Sequence, residues 1–241
     1  MRPGPFVCAG LTDIGNQRPE NQDTFAILRS AGLFLVCDGM GGHNDGAAAA
    51  TMACQTIASV IQEAPRRTGD AAVKLLRGAI ETANTAVGTL GRGKLRPGTT
   101  VAALLYTGQE VVLGHAGDSR IYRLRRGVLE QRTRDHSLAN QLVDEKRLRL
   151  EDVAAFPHKN IITKALGTKA KVDPDVLLET LYPGDVFLLC SDGVDLDPRK
   201  LRRCLTLAPS DAVEAIKART LEGDAPDNLT AVVVRFRGGV A

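Results

Sequence analysis

TVAALLYTGQEVVLGHAGDSRIYRL, residues 100–124, carries three short runs at the two-residue period of β-strands: TVAALLY (100–106), EVVLGHAG (110–117) and SRIYRL (119–124). TGQE (107–110) and RRGV (125–128) stand between short runs as turns. Alternation over so few residues, broken by glycine-bearing turns, predicts an antiparallel meander of all three strands.

Upstream, extended stretches are expected at Phe6–Leu11, Thr24–Leu28 and Leu33–Cys37. A helical apolar pattern then runs from about Asp45 to Ala64, with an Ala-rich start suited to close packing and Met52, Ile57, Val60 and Ile61 continuing its face. PRRTGD (65–70) breaks it, and a second helix is expected from about Ala71 to Leu90. Downstream, residues His136–Arg149 read as a polar helix. Val176–Leu181 and Val186–Cys190 read as strands, Pro198–Leu205 and Ser210–Leu221 as helices, and LTAVVVRF (229–236) as a closing strand. Hairpin-joined strands with helices in pairs argue for an α+β fold on antiparallel sheet; the βαβ alternation of a parallel sheet is missing. With no internal repeat, low-complexity tract or linker, residues 1–241 are expected to form a single domain.

The bulk numbers narrow the function. Apolar residues make up 44% and charged ones 24%, ordinary for a globular protein. The net charge is +3, and the basic residues fall in small clusters: Arg66-Arg67, Arg123-Arg125-Arg126, and Lys200 with Arg202 and Arg203. With aromatics at only 4%, the basic stripe interleaved with stacking rings that nucleic acid requires is absent, so these clusters read as solvated faces and no nucleic-acid partner is expected. No apolar run reaches the ~18 residues of a membrane span, and MRPGPFVCAG lacks the apolar core of a secretory signal. Cys8, Cys37, Cys54, Cys190 and Cys204 are odd in number and form no CxxC, which suits free buried thiols and a reducing cytoplasmic location.

Four aspartates share one context. Asp38 follows LFLVC, Asp118 follows VVLGHAG, Asp192 follows VFLLCS, and Asp227 precedes LTAVVV. Each stands where an apolar strand meets a loop, and three of the four touch glycine. A turn explains any one of them. Four at strand ends bring carboxylates together, where each raises its neighbours' pKa. A divalent cation removes that penalty, and Mg²⁺ or Mn²⁺ prefers oxygen ligands.

At this point the chain resembles the metal-dependent Ser/Thr protein phosphatases of the PPM (type 2C) family, in their small bacterial form. The resemblance rests on RPENQDTF (18–25), VCDGMGGHNDG (36–46), PGTTVAALL (97–105), GHAGDSRIYRL (114–124), RDHSLANQL (134–142), IITKALG (161–167), GDVFLLCSDGV (184–194) and DNLTAVVV (227–234). It implies a four-layer α-β-β-α sandwich: two stacked antiparallel sheets with helices on both outer faces. It implies hydrolysis of phosphoserine and phosphothreonine by a metal-activated water, reversing a cognate Ser/Thr kinase, on two Mn²⁺ or Mg²⁺ ions with a third, weaker one. Asp38 bridges the pair by this resemblance, the Gly39 carbonyl adds a ligand, and Asp192 and Asp227 complete the first ion's shell. Asp118, with Asp192, would hold the third ion. Arg18 would bind the substrate phosphate, so Arg18, Asp38 and Asp192 are the expected catalytic set, with Gln22, Asp23 and Asn228 supporting the ligands from behind.

Gly39, Gly41 and Gly42 would clear space around the ions, and Asn44 or Asp45 would cap the long helix. This chain departs from the family at Met40, where some members carry histidine; His43 and His136 are the remaining candidate proton donors. Gln22 replaces a frequent glutamate, and Asp195 is an extra acid expected to be solvated or to cap the next helix. Residues 134–157 match the variable flap. A stand-alone monomer acting on phosphorylated proteins is expected. The alternative from another class is a catalytically inactive phosphoprotein-binding module on the same fold, whose signature would be a missing metal aspartate. Other chemistries fall away, because no cysteine stands in C-x₅-R and no Walker A motif occurs.

Overall fold

The computed structural model describes residues 4–41, 45–91 and 96–237 of the chain. Eleven strands among these residues build two sheets. They are β1 (Phe6–Asp13), β2 (Asp23–Leu28), β3 (Leu33–Met40), β4 (Gly98–Thr99), β5 (Val101–Tyr106), β6 (Glu110–Ala116), β7 (Arg120–Arg125), β8 (Val128–Gln131), β9 (Asp175–Thr180), β10 (Val186–Cys190) and β11 (Leu229–Phe236). One sheet runs β1-β11-β10-β7-β8; the other runs β2-β3-β5-β6-β9, with β4 pairing β3. Neighbouring strands are antiparallel throughout.

Helices α1 (Asp45–Glu63) and α2 (Gly69–Gly88) cover the second sheet, whereas α4 (Pro198–Cys204) and α5 (Pro209–Leu221) cover the first. A short α3 (Leu138–Asp144) lies between β8 and β9. The expected four-layer α-β-β-α sandwich is therefore what the chain forms. Its strands show why a continuous apolar run can still be a strand. In β3, Leu33, Leu35 and Cys37 face the helices while Phe34 and Val36 face the opposite sheet. Both faces are dry, so both parities are apolar. In β10 and β11 the same split puts Phe187, Leu189, Val232 and Val234 between the sheets.

The structure corrects the expected meander. β5 and β6 form a hairpin, but β7 leaves that sheet and pairs with β10 and β8 of the other. Gly117-Asp118-Ser119 is a crossing between sheets, not a turn within one, and Gly117 takes a φ of +117° there. Alternation reports a strand's two faces; it does not report which sheet the strand joins. The RRGV turn does hold: Arg126 and Gly127, at φ +50° and +80°, connect β7 to β8 with the mirror-image turn that hairpins favour.

The helix expected over His136–Arg149 shrinks to α3. Ser137 caps it by accepting from the Asn140 N–H, and Lys146 enters the left-handed region at φ +57° just beyond it. A short 3₁₀ turn follows at Leu150–Ala155. All five cysteines are buried and free, as expected. No helix among the described residues is long and apolar enough to cross a membrane.

Candidate metal centre

Sheet register assembles the site. Asp38 lies near the end of β3 opposite Asp23 on β2. Ser191 and Asp192 follow β10 directly, Asp227 and Asn228 precede β11, and Asp118 sits on the sheet crossing. All these strand ends meet at one end of the sandwich.

Electrostatics shows how near one another the acids are. Burial pushes Asp38 well above the usual carboxylate range, and Asp23, Asp192, Asp118 and Asp227 push it further. Burial and then Asp192 and Asp135 bring Asp118 up to about 7. Asp192 is raised by burial and by Asp227, and it hydrogen-bonds Asp38. These carboxylates favour their protonated forms because they are buried and because they face one another. One oxygen of Asp118, Oδ1, is buried with no partner, and so is Oδ1 of Asp23. Clustered carboxylates with orphaned oxygens form the donor set of a hard divalent cation such as Mg²⁺ or Mn²⁺. The residues present fit that group.

A layer of hydroxyls that the sequence reading did not single out supports the acids. The Thr100 hydroxyl receives the Asp38 N–H at 3.0 Å and lies 2.6 Å from the Ser119 hydroxyl. Thr99 donates to the Asp38 carbonyl at 2.9 Å. Asp23 Oδ2 accepts from Ser191 and from Thr230, each at 2.7 Å. Asp23 thus reaches from one sheet to hydroxyls of the other, a bolt between layers, and burial with nearby Asp192 and Asp227 brings it up to about 6. PGTTV, GDS and LLCSDG carried these hydroxyls in plain view; burial alone gives them meaning.

Asn228 organises the approach. Its Nδ2 donates to the carbonyls of Ile14 and Glu20, both at 2.9 Å, and its Oδ1 accepts the Gln22 N–H at 2.9 Å. The loop so held carries Arg18, whose guanidinium donates to Asp227 Oδ2 at 2.7 Å. Asp227 first, and then Asp38 and Asp192, raise the Arg18 pKa. Gln22 enters through its backbone, its carbonyl accepting the Gly39 N–H at 3.1 Å.

Glycine serves differently from expectation at Gly39. A Cβ there would stand 2.1 Å from the Gly46 carbonyl oxygen and 2.8 Å from that of Gln22. The cleared space is filled by the first turn of α1, not by solvent, so the missing side chain lets the helix dock on the strand that bears Asp38. Gly42, His43 and Asn44 lie outside the described residues; Asp45 is the first residue of α1.

His136 is held on both ring nitrogens. Its Nδ1 accepts the Gly117 N–H at 3.0 Å, and Nε2 lies 3.2 Å from Asp175 Oδ2. Its own backbone N–H donates to the Gly117 carbonyl at 2.8 Å. The arrangement clamps the peptide before Asp118 and engages both ring nitrogens. His115, His136 and Asp175 bring ligand atoms within 4.8 Å of one another. The two rings, however, stack at 4.7 Å and 19°, and Lys164 already neutralises Asp175 at 3.1 Å. Asp195 is exposed, and the cap of α4 is Asp197, which accepts the Arg199 N–H at 2.8 Å.

Strand-end carboxylates between two stacked sheets, with an arginine at the rim, offer the oxygen donors a divalent cation takes. The protein phosphatase 2C family model matches residues 10–225, and the chain belongs to that family. It is 34% identical over 234 residues to the Ser/Thr protein phosphatase PstP of Mycobacterium tuberculosis, covering 93% of this chain and 44% of that protein. It is 32% identical over 236 residues to the Ser/Thr phosphatase stp of Listeria monocytogenes, covering 92% and 93%. The crystal structure of the PstP catalytic domain with two manganese ions superposes with a TM-score of 0.84 at 30% identity, over 96% of this chain and 98% of that one.

Proposed function

We propose that this chain hydrolyses phosphoserine and phosphothreonine in proteins at a centre built on Asp38, Gly39, Asp192 and Asp227, with Asp118 and Asp192 serving a third, weaker ion. One observation carries the reading: aspartates from strand ends of both sheets gather at one end of the sandwich, held above their ordinary pKa by burial first and by one another next. When bound, Mn²⁺ or Mg²⁺ supplies a water acidic enough to lose its proton near neutral pH, and positive charge toward phosphoryl oxygens.

The chain's own residues do the rest. Thr99 and Thr100 fix the Asp38 backbone from both sides, so its carboxylate needs no reorganisation. Asn228 and the Gln22 carbonyl hold the Arg18 loop against β11 and β3. The Arg18 guanidinium, 54% exposed, presents a planar fork toward the opening, and a phosphate arriving there competes with Asp227 for it. The leaving serine or threonine oxygen takes its proton from solvent at this open end.

The inactive-module alternative would require a lost ligand, and all four aspartates are present. Residues 134–157 form the flap that selects protein substrates, braced to the site through His136. A cytoplasmic monomer opposing a Ser/Thr kinase completes the reading; the free buried thiols support the location. The test is hydrolysis of p-nitrophenyl phosphate and of a phosphothreonine peptide with and without Mn²⁺. Activity should require the ion and vanish in Asp38→Asn and Asp192→Asn; turnover surviving either substitution sinks the proposal.

A further inference from the structure

At the opposite end of the sandwich the chain encloses a cavity of about 710 Å³. Gly32 precedes β3 and Tyr106 ends β5, so the cavity lies where those strands are farthest from Asp38 and Thr100. The five steps from Leu33 to Asp38 alone separate the two ends by roughly 17 Å. Phe6, Tyr106 and Ile61 give it apolar walls, and Arg29, Arg66 and Arg67 line its mouth.

Three arginines share this space, and among the described residues no carboxylate lines it. Among the described residues none of the three enters an ion pair. Arg29 donates to the Cys8 carbonyl at 3.1 Å and Arg66 to the Ser30 carbonyl at 3.2 Å. Those bonds orient the side chains and leave their charge uncompensated. Other arginines do pair, Arg120 with Asp135, Arg123 with Glu179 and Arg125 with Asp185; what sets these three apart is that they share one cavity. The volume falls within the 300–1,000 Å³ typical of small-molecule sites, which combine apolar walls with a few placed polar groups.

We infer that this cavity binds a small organic anion, an apolar body of about the size of two fused rings carrying one acidic head, with the rings against the packed Phe6–Tyr106 pair and Ile61 and the head on Arg66 and Arg67. The site is separate from the aspartate centre and does not depend on the activity proposed there.

Anilinonaphthalene sulfonate, which has this chemistry, is the probe. Fluorescence titration of the native protein should saturate at one site with a Kd of about 10–100 µM. The Arg66→Gln/Arg67→Gln variant should bind at least tenfold more weakly while keeping Mn²⁺-dependent p-nitrophenyl phosphate hydrolysis within twofold of native. Ala64→Trp, which fills the cavity and keeps every arginine, should also lose the probe. Neutral N-phenyl-1-naphthylamine should bind at least tenfold more weakly than the sulfonate. No saturable binding by the native protein, native affinity in either variant, or equal affinity for the neutral probe overturns the inference.

Discussion

Glu179 and Asp185 are as buried as Asp23 and Asp118, with 7% and 1% of their surface exposed against 7% and 8%, yet their surroundings are opposite. Glu179 lies between Arg123 and Arg132, and Asp185 takes a two-pronged bond from Arg125 at 2.7 and 2.6 Å. These acids are neutralised by the fold itself. Asp38, Asp118 and Asp192 meet mainly other acids; Arg120, which acts on Asp118 and Asp192, is already paired with Asp135, and Arg18 stands at the exposed rim on Asp227. A buried charge left unpaired is costly. A chain that pairs one set with arginine and leaves the other set facing itself reserves the second for a cation from outside.

Asp38→Asn puts this contrast under the greatest strain. Removing one member of the unpaired set should lower Mn²⁺-dependent turnover on the order of a thousandfold or more, while the melting temperature of the metal-free protein stays level or rises, because an acid that must either hold a proton or repel its neighbours is gone. Glu179→Ala should do the reverse. It should cost about 3 kcal/mol by stranding Arg123 and Arg132, seen as a melting temperature lower by roughly 6–12 °C, with kcat kept. If both variants lose stability alike, the two sets of acids are not different in kind.

Arg18→Ala should raise KM and lower kcat/KM by roughly 10- to 100-fold, with little change in stability because the side chain is largely exposed. Calorimetry with inorganic phosphate on the Mn²⁺-loaded protein would show whether anion binding is what was lost. Asp118, at about 7, and Asp23, at about 6, keep protons in the folded chain that the unfolded chain, with ordinary carboxylates near 3.8, has released. Their contribution to stability is therefore present at low pH and lost as pH rises through 6 and 7. His115, lowered to about 3 by burial and His136, works the other way. It is common to both metal states, so the informative quantity is the rise in melting temperature on adding Mn²⁺, which should grow from pH 5 to pH 8. An increment that stays flat across that range would contradict the repulsion argument. Asp195→Asn should leave activity within about twofold, since that carboxylate is exposed and caps nothing.

Much of this was legible from residue order. LFLVC, VFLLC and AVVVRF read as strands because they are dry on both faces, and the aspartates at their ends stood out by position. β8 was not legible: VLEQ is an edge strand, mostly exposed, with no apolar period to betray it. The flap helix was overread because a polar segment between turns offers no buried face to mark its end. The hydroxyls of Thr100, Ser119, Ser191 and Thr230 were invisible as site residues, since serine and threonine take their role from where the fold buries them. The bond from the Gly117 N–H to His136 was equally invisible, since residue order does not show which peptide a histidine ring meets.

The passage from β6 to β7 has a mechanical side. From Ala116 to Arg120 the chain takes four steps, a reach of at most about 14 Å, and packed sheets stand about 10 Å apart. The tether is short and bent, and Asp118 is threaded on it. Any slip of one sheet over the other is therefore transmitted to that carboxylate like tension along a stay. A single glycine inserted after Gly117 would slacken the line, leaving both sheets intact while freeing Asp118 from its bearing.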